Sequence, residues 1–73
     1  MASNSQLLKR FGNRVRQLRR GKELSQEALA EHCDLDRTYI SGIERGKRNV
    51  SLENIDAIAR GLSVSLSGLF EGL

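Results

Sequence analysis

Residues 36–49, DRTYISGIERGKRN, carry most of the chain's capacity for binding a polyanion. Arg37 offers a planar fork of donors that fits a guanine edge or a phosphate. Thr38 and Ser41 bring hydroxyls that both donate and accept, and Tyr39 an aromatic face with a polar tip. Arg45 precedes Gly46, and Lys47, Arg48 and Asn49 follow it with two cations and an amide; Glu44 is the one acid between Arg37 and Asn49. Gly42 lies inside what reads as a short helix, where glycine costs about 1 kcal/mol relative to alanine. Something must compensate for it.

The catalytic inventory is poor by contrast. No serine or cysteine has a histidine and an orienting acid in a plausible pattern, because His32 is the only histidine. His32-Cys33 supplies two adjacent potential metal ligands with no second pair, so a core cysteine and a surface histidine are expected. GIERGK has the wrong glycine spacing and no preceding strand for a phosphate loop. The expectation is a non-enzyme without metal or cofactor.

A chain of 73 residues with a single cysteine reads as one small domain, residues 1–73, with no internal disulfide. Its core would be marginal alone, which favours a partner chain. No apolar run approaches a membrane span, and MASNSQLLKR lacks the apolar block of a secretory signal, so a soluble cytoplasmic protein is expected. The net charge of +3 is unevenly spread. Seven cations from Lys9 to Lys22 stand without an acid, five acids run from Glu23 to Asp36, and the chain turns basic again through Arg48. Basic blocks suit a polyanion, although a solvated surface would also explain a mild excess.

The elements that must position these groups are all helical. Leu7, Phe11, Val15 and Leu18 recur at helical spacing over residues 5–20, ending near Gly21. Ser25 should cap a helix from Gln26 to Cys33 that buries Leu29, Ala30 and Cys33, and Asp34-Leu35-Asp36 makes a tight turn. Asp36 should cap a third helix, from Arg37 to about Arg45, with Ile40 and Ile43 inward and Gly46 at its end. Ser51 should cap a fourth helix bearing an apolar stripe of Leu52, Ile55, Ile58, Ala59 and Leu62, with Gly61 or Ser63 ending it. Ser65 caps a last short helix. Leu62, Val64, Leu66, Leu69, Phe70 and Leu73 form an apolar cluster at residues 62–73, read as the closing layer of the core and, in part, through Leu62, Val64, Leu66, Leu69 and Phe70, as a self-complementary dimer contact.

Helix, short turn, helix over residues 26–45, with small Ala30 at the crossing and Leu35, Ile40 and Ile43 pinning the second helix, is a helix-turn-helix pattern. SQEALAEHCDLDRTYISGIERGKRNVSLENIDAIARGL resembles the helix-turn-helix family of lambda-type repressors and Cro. Within it, RTYISGIERGKRNVSLENI is similar to the controller proteins of restriction-modification systems. The resemblance implies a compact all-α domain of five helices that binds DNA as a homodimer and regulates transcription. Asp34 stands where the family usually has glycine, and aspartate visits the left-handed region readily. Gly42 stands where relatives often place a base-reading side chain.

With residues 37–45 as the recognition helix, Arg37, Thr38, Tyr39 and Ser41 read bases in the major groove, joined by Arg48 from the loop. Ser25, Gln26, Arg45, Lys47 and Asn49 suit phosphates; the family's matching glutamine makes that contact at Gln26. A tighter approach of the helix to the duplex would compensate for Gly42, with a close helix-helix contact as the alternative. The resemblance also implies an Arg19–Glu44 pair bracing the first helix against the recognition helix, and a contact of Glu27 and Glu31 with a sigma subunit of RNA polymerase. An ordinary solvated face is the alternative for those two acids. The partner is then double-stranded DNA carrying an inverted-repeat operator. A phage-type or antitoxin-like repressor remains open, as does a helical protein-interaction module.

Overall fold

The computed structural model describes residues 4–73, which form five helices. They are α1 (Asn4–Gly21), α2 (Gln26–Cys33), α3 (Arg37–Glu44), α4 (Leu52–Gly61) and α5 (Leu66–Leu69). Their starts follow the expected chemistry at three of the four later helices. The hydroxyls of Ser25, Ser51 and Ser65 accept hydrogen bonds from the backbone N–H groups of Ala28, Asn54 and Gly68, at 3.0, 3.1 and 2.9 Å, satisfying donors that a helix start leaves open. Asp36 departs from the expectation. It has the extended backbone of a cap, and its carbonyl accepts from Tyr39 and Ile40 at 3.1 Å, but its carboxylate makes no capping bond.

The turn between α2 and α3 closes through Asp34, which takes the left-handed conformation at φ 56°, ψ 42°. The Leu35 N–H then donates to the Ala30 carbonyl at 2.9 Å. Two other non-glycine residues take positive φ, Glu23 after α1 and Ser63 after α4. The helix ends near Gly21 and Gly61 are therefore followed by left-handed residues that are not glycine. Gly46, with φ +72°, ends α3 as expected.

The core gathers Phe11 and Val15 from α1, Leu29, Ala30 and Cys33 from α2, Ile40 and Ile43 from α3, Ile58 and Ala59 from α4, then Leu62 and Leu69. Leu7 and Leu52, expected on core faces, are exposed, Leu52 to 75%. Both lie in the first turn of their helices, where side chains lean toward the amino end and project past the packed layer. Leu62 and Leu69 correct the reading of the last apolar cluster. Both are wholly enclosed within the protomer, so they hold α4 and α5 in place and offer no surface to a second chain. Val64 is half-buried, and Leu66 and Phe70 are each 40% exposed.

Candidate nucleic-acid interface

The eight residues of α3 divide by face. Ile40, Ile43 and Glu44 point inward and are buried, whereas Arg37 and Thr38 at the amino tip are exposed, with Ser41 half-buried one turn on. The loop after α3 continues the exposed side with Arg45, Lys47, Arg48 and Asn49. Arg45 folds back along its own helix, its Nε donating to the Ser41 carbonyl at 3.4 Å. The tip of α3 and the basic residues after it are thus all open to solvent.

Behind this face lies a buried ion pair joining three helices. Arg19 of α1 donates through Nε to Glu44 Oε2 at 2.6 Å and through Nη2 to Oε1 at 2.9 Å, while its Nη1 donates to the Leu24 carbonyl at 2.8 Å. The two parallel bonds are the bidentate arrangement that suits a guanidinium and a carboxylate. The hydrogen bond to Glu44 raises the Arg19 pKa above its ordinary value, against the lowering effect of burial. Gln26, expected at a phosphate, directs its side-chain amide N–H to Glu44 Oε1 at 3.1 Å, and Arg16 Nε lies 3.8 Å from the same oxygen. A buried carboxylate needs several donors, and Gln26 at the start of α2 supplies one of them. Its backbone N–H at the head of α2 still suits a phosphate. Ser25 likewise spends its hydroxyl on the α2 cap and remains exposed.

Tyr39 is half-buried between α3 and α4. Its hydroxyl accepts from Asn54 Nδ2 at 3.1 Å and donates to the Asn49 carbonyl at 3.4 Å, so one phenol ties α4 to the loop after α3. The Arg48 guanidinium lies 5.5 Å from the centre of the Tyr39 ring, within cation–π range. Gly42 is buried, and the side chain that covers it is Arg48 of the following loop. A Cβ built there would fall 2.7 Å from Arg48 Cγ, so the missing side chain makes room for Arg48. Asn54 was not singled out in the sequence; its position two residues into a capped helix gave no sign that it would reach Tyr39.

Glu27 and Glu31 are exposed on α2. Arg14, also not anticipated, closes the far end of the molecule, donating to the Gly68 and Leu69 carbonyls at 2.8 and 3.3 Å and lying 3.7 Å from Glu71. Phe70 packs at a tilt on Phe11 with ring centres 5.7 Å apart, so its inner side is anchored and its outer side exposed. Among the described residues no group of three potential ligands forms a metal site, and no helix is long and apolar enough to cross a membrane.

Comparison with known proteins agrees with this geometry. The family described as helix-turn-helix matches residues 15–69. The control protein C.MunI of a Mycoplasma species is 55% identical over 65 residues, covering 88% of each chain. The crystal structure of the restriction-modification controller protein C.AhdI from Aeromonas hydrophila superposes with a TM-score of 0.84 at 52% identity, over 86% of this chain and 96% of that one. The structure of C.Esp1396I bound to a 19 base pair DNA duplex also superposes at 0.84, with 43% identity over 89% and 87% of the two chains. A motif match across most of the chain, joined to relatives about half identical over most of their length, identifies the chain as a member of the helix-turn-helix family, beside restriction-modification controller proteins and among DNA-binding regulators instead of enzymes.

Proposed function

We propose that the protein is a sequence-specific, homodimeric transcription regulator of the restriction-modification controller type, acting in the cytoplasm on a two-fold symmetric operator. The observation that carries this reading is the division of α3. Its inner face is locked by Ile40, Ile43 and the Arg19–Glu44 pair, and its outer tip is left with Arg37 and Thr38 free to meet base edges. Arg37 fits guanine O6 and N7 in a bidentate bond, and Thr38 fits a thymine methyl or a base-edge acceptor. Tyr39 and Ser41 flank them, and Arg48 reaches in from the loop. Arg45, Lys47, Asn49, Ser25 and the head of α2 at Gln26 hold phosphates, which supply register and most of the salt-dependent affinity. The likeness to C.Esp1396I bound to duplex DNA supports this assignment.

Two copies meet through Val64, Leu66 and Phe70, apolar residues of the last segment that retain exposed surface. A two-fold contact there presents two recognition helices to successive major-groove faces, so the half-sites lie about 10 bp apart, centre to centre. Glu27 and Glu31 stand away from the loop as an acidic surface for RNA polymerase when the dimer activates. Selection of bound duplexes from a random library tests the whole reading. An inverted repeat at that spacing is expected, and a pool without enrichment at near-physiological salt would overturn it in favour of a protein-interaction module.

A further inference from the structure

The geometry points to Gly42 as the seat of Arg48, a residue that touches no base itself but sets how the loop arginine is presented to one. The inference rests on the base-reading role proposed above for Arg48. Gly42 is buried in the middle of a helix whose outer side is otherwise polar. The three nearest atoms to a Cβ built on it all belong to Arg48: Cγ at 2.7 Å, Nε at 3.4 Å and Cδ at 3.6 Å. The aliphatic stem of Arg48 thus lies across the groove that the missing side chain leaves in α3. Its guanidinium arrives over the Tyr39 ring, and that ring is itself fixed through its hydroxyl by Asn54. Arg48 is held at both stem and head.

This arrangement accounts for a glycine inside a helix of eight residues, where alanine would be favoured by propensity alone. An exposed arginine on a loop samples many rotamers, and binding must then order them. Seating the stem beforehand reduces that ordering cost and directs the fork to one place beside the recognition helix. The nearest clash is with Arg48 Cγ, a side-chain atom close to the backbone, so Gly42→Ala requires Arg48 to turn about its first side-chain torsion and leave the seat.

Two measurements test the inference. In the free protein, side-chain proton shifts of Arg48 should show the upfield displacement caused by the Tyr39 ring face, with Tyr39→Leu as the control. Gly42→Ala should abolish that displacement while the thermal midpoint does not fall. On the selected operator, Gly42→Ala should weaken binding roughly 5- to 150-fold, the range of one good bidentate base contact. Arg48→Ala should do the same, and the double variant should be no weaker than Arg48→Ala alone. An Arg48 displacement that survives Gly42→Ala would overturn the seat. So would an equal loss from Gly42→Ala with and without Arg48, which would mean that the helix backbone itself needs the space. The proton shifts are read without DNA, so failure to enrich any operator would sink the function proposed above while leaving the seat to be decided on its own.

Discussion

Replacing Arg19 by methionine removes three hydrogen bonds at once, two to Glu44 and one to the Leu24 carbonyl, and keeps much of the side chain's volume. What remains decides the magnitude. The Glu44 side chain is 1% exposed and keeps only Gln26 Nε2 at 3.1 Å, with Arg16 at 3.8 Å. A buried carboxylate stripped of its main partner costs about 3–5 kcal/mol, and the two surviving donors put the expected loss near the lower end, about 3 kcal/mol. A domain of this size has a total stability of about 4–11 kcal/mol, so the variant loses a large part of it. Arg19→Met with Glu44→Leu should recover most of the loss, because apolar packing replaces the pair without leaving a charge behind. Urea unfolding followed by helical circular dichroism, at one fixed protein concentration because a dimer couples stability to concentration, gives all four corners of the cycle. A loss below about 1 kcal/mol for the single variant would refute the reasoning, since that is what an exposed pair contributes.

Other outcomes follow from the same geometry. Arg37→Ala should weaken operator binding by about 1–3 kcal/mol and relax the preference at one base position; equal weakening on every sequence would make Arg37 a phosphate contact. Phe70→Ser with Leu66→Ser should shift the sedimentation of the protein toward monomer at concentrations where the parent is dimeric, and an unchanged profile would move the interface elsewhere. Glu27→Ala with Glu31→Ala should leave operator affinity intact and abolish activation in a reconstituted transcription assay, whereas unchanged activation would leave those acids as a solvated face. Burial raises the Cys33 thiol from 9.0 to about 11. Above pH 9 the unfolded chain therefore sheds this proton while the folded one keeps it, so this contribution to stability falls as pH rises from about 9 through about 11. Cys33→Ala should flatten that part of the stability profile, and an unchanged slope would show that the thiol does not titrate differently on folding.

Much of the fold was legible because local chemistry and the apolar pattern agree. Ser25, Ser51 and Ser65 mark helix starts by type alone, and Ile40 with Ile43, or Ile58 with Leu62, mark inward faces by spacing. Asp34 was readable as the turn residue from its tolerance of the left-handed conformation. Legibility failed where a side chain's partner lies outside its own element. The Gln26 amide goes to Glu44, Arg14 goes to the carbonyls at the end of α5, and Asn54 reaches Tyr39. Each joins residues from different helices, and no periodicity records that. Gly42 shows the same limit: nothing in the spacing of α3 records that a loop residue six positions on folds over it.

The layout also explains how so short a helix is held in order. Eight residues are too few to hold α3 helical in water by propensity, and its cap lacks the expected carboxylate bond, so its order must come from tertiary contacts. Those contacts fall at its inner side: Ile40 and Ile43 in the core, and Glu44 clamped by α1 and α2 at the carboxy-terminal end. The amino-terminal tip is thereby freed from any structural duty. Substitutions at the exposed Arg37 and Thr38 should have little effect on folding, whereas any change at Glu44 must disturb the angle at which that tip is presented. Gly42 sits between the two regimes. Its space is taken by Arg48 on the exposed side, although its burial gives it the appearance of a core position.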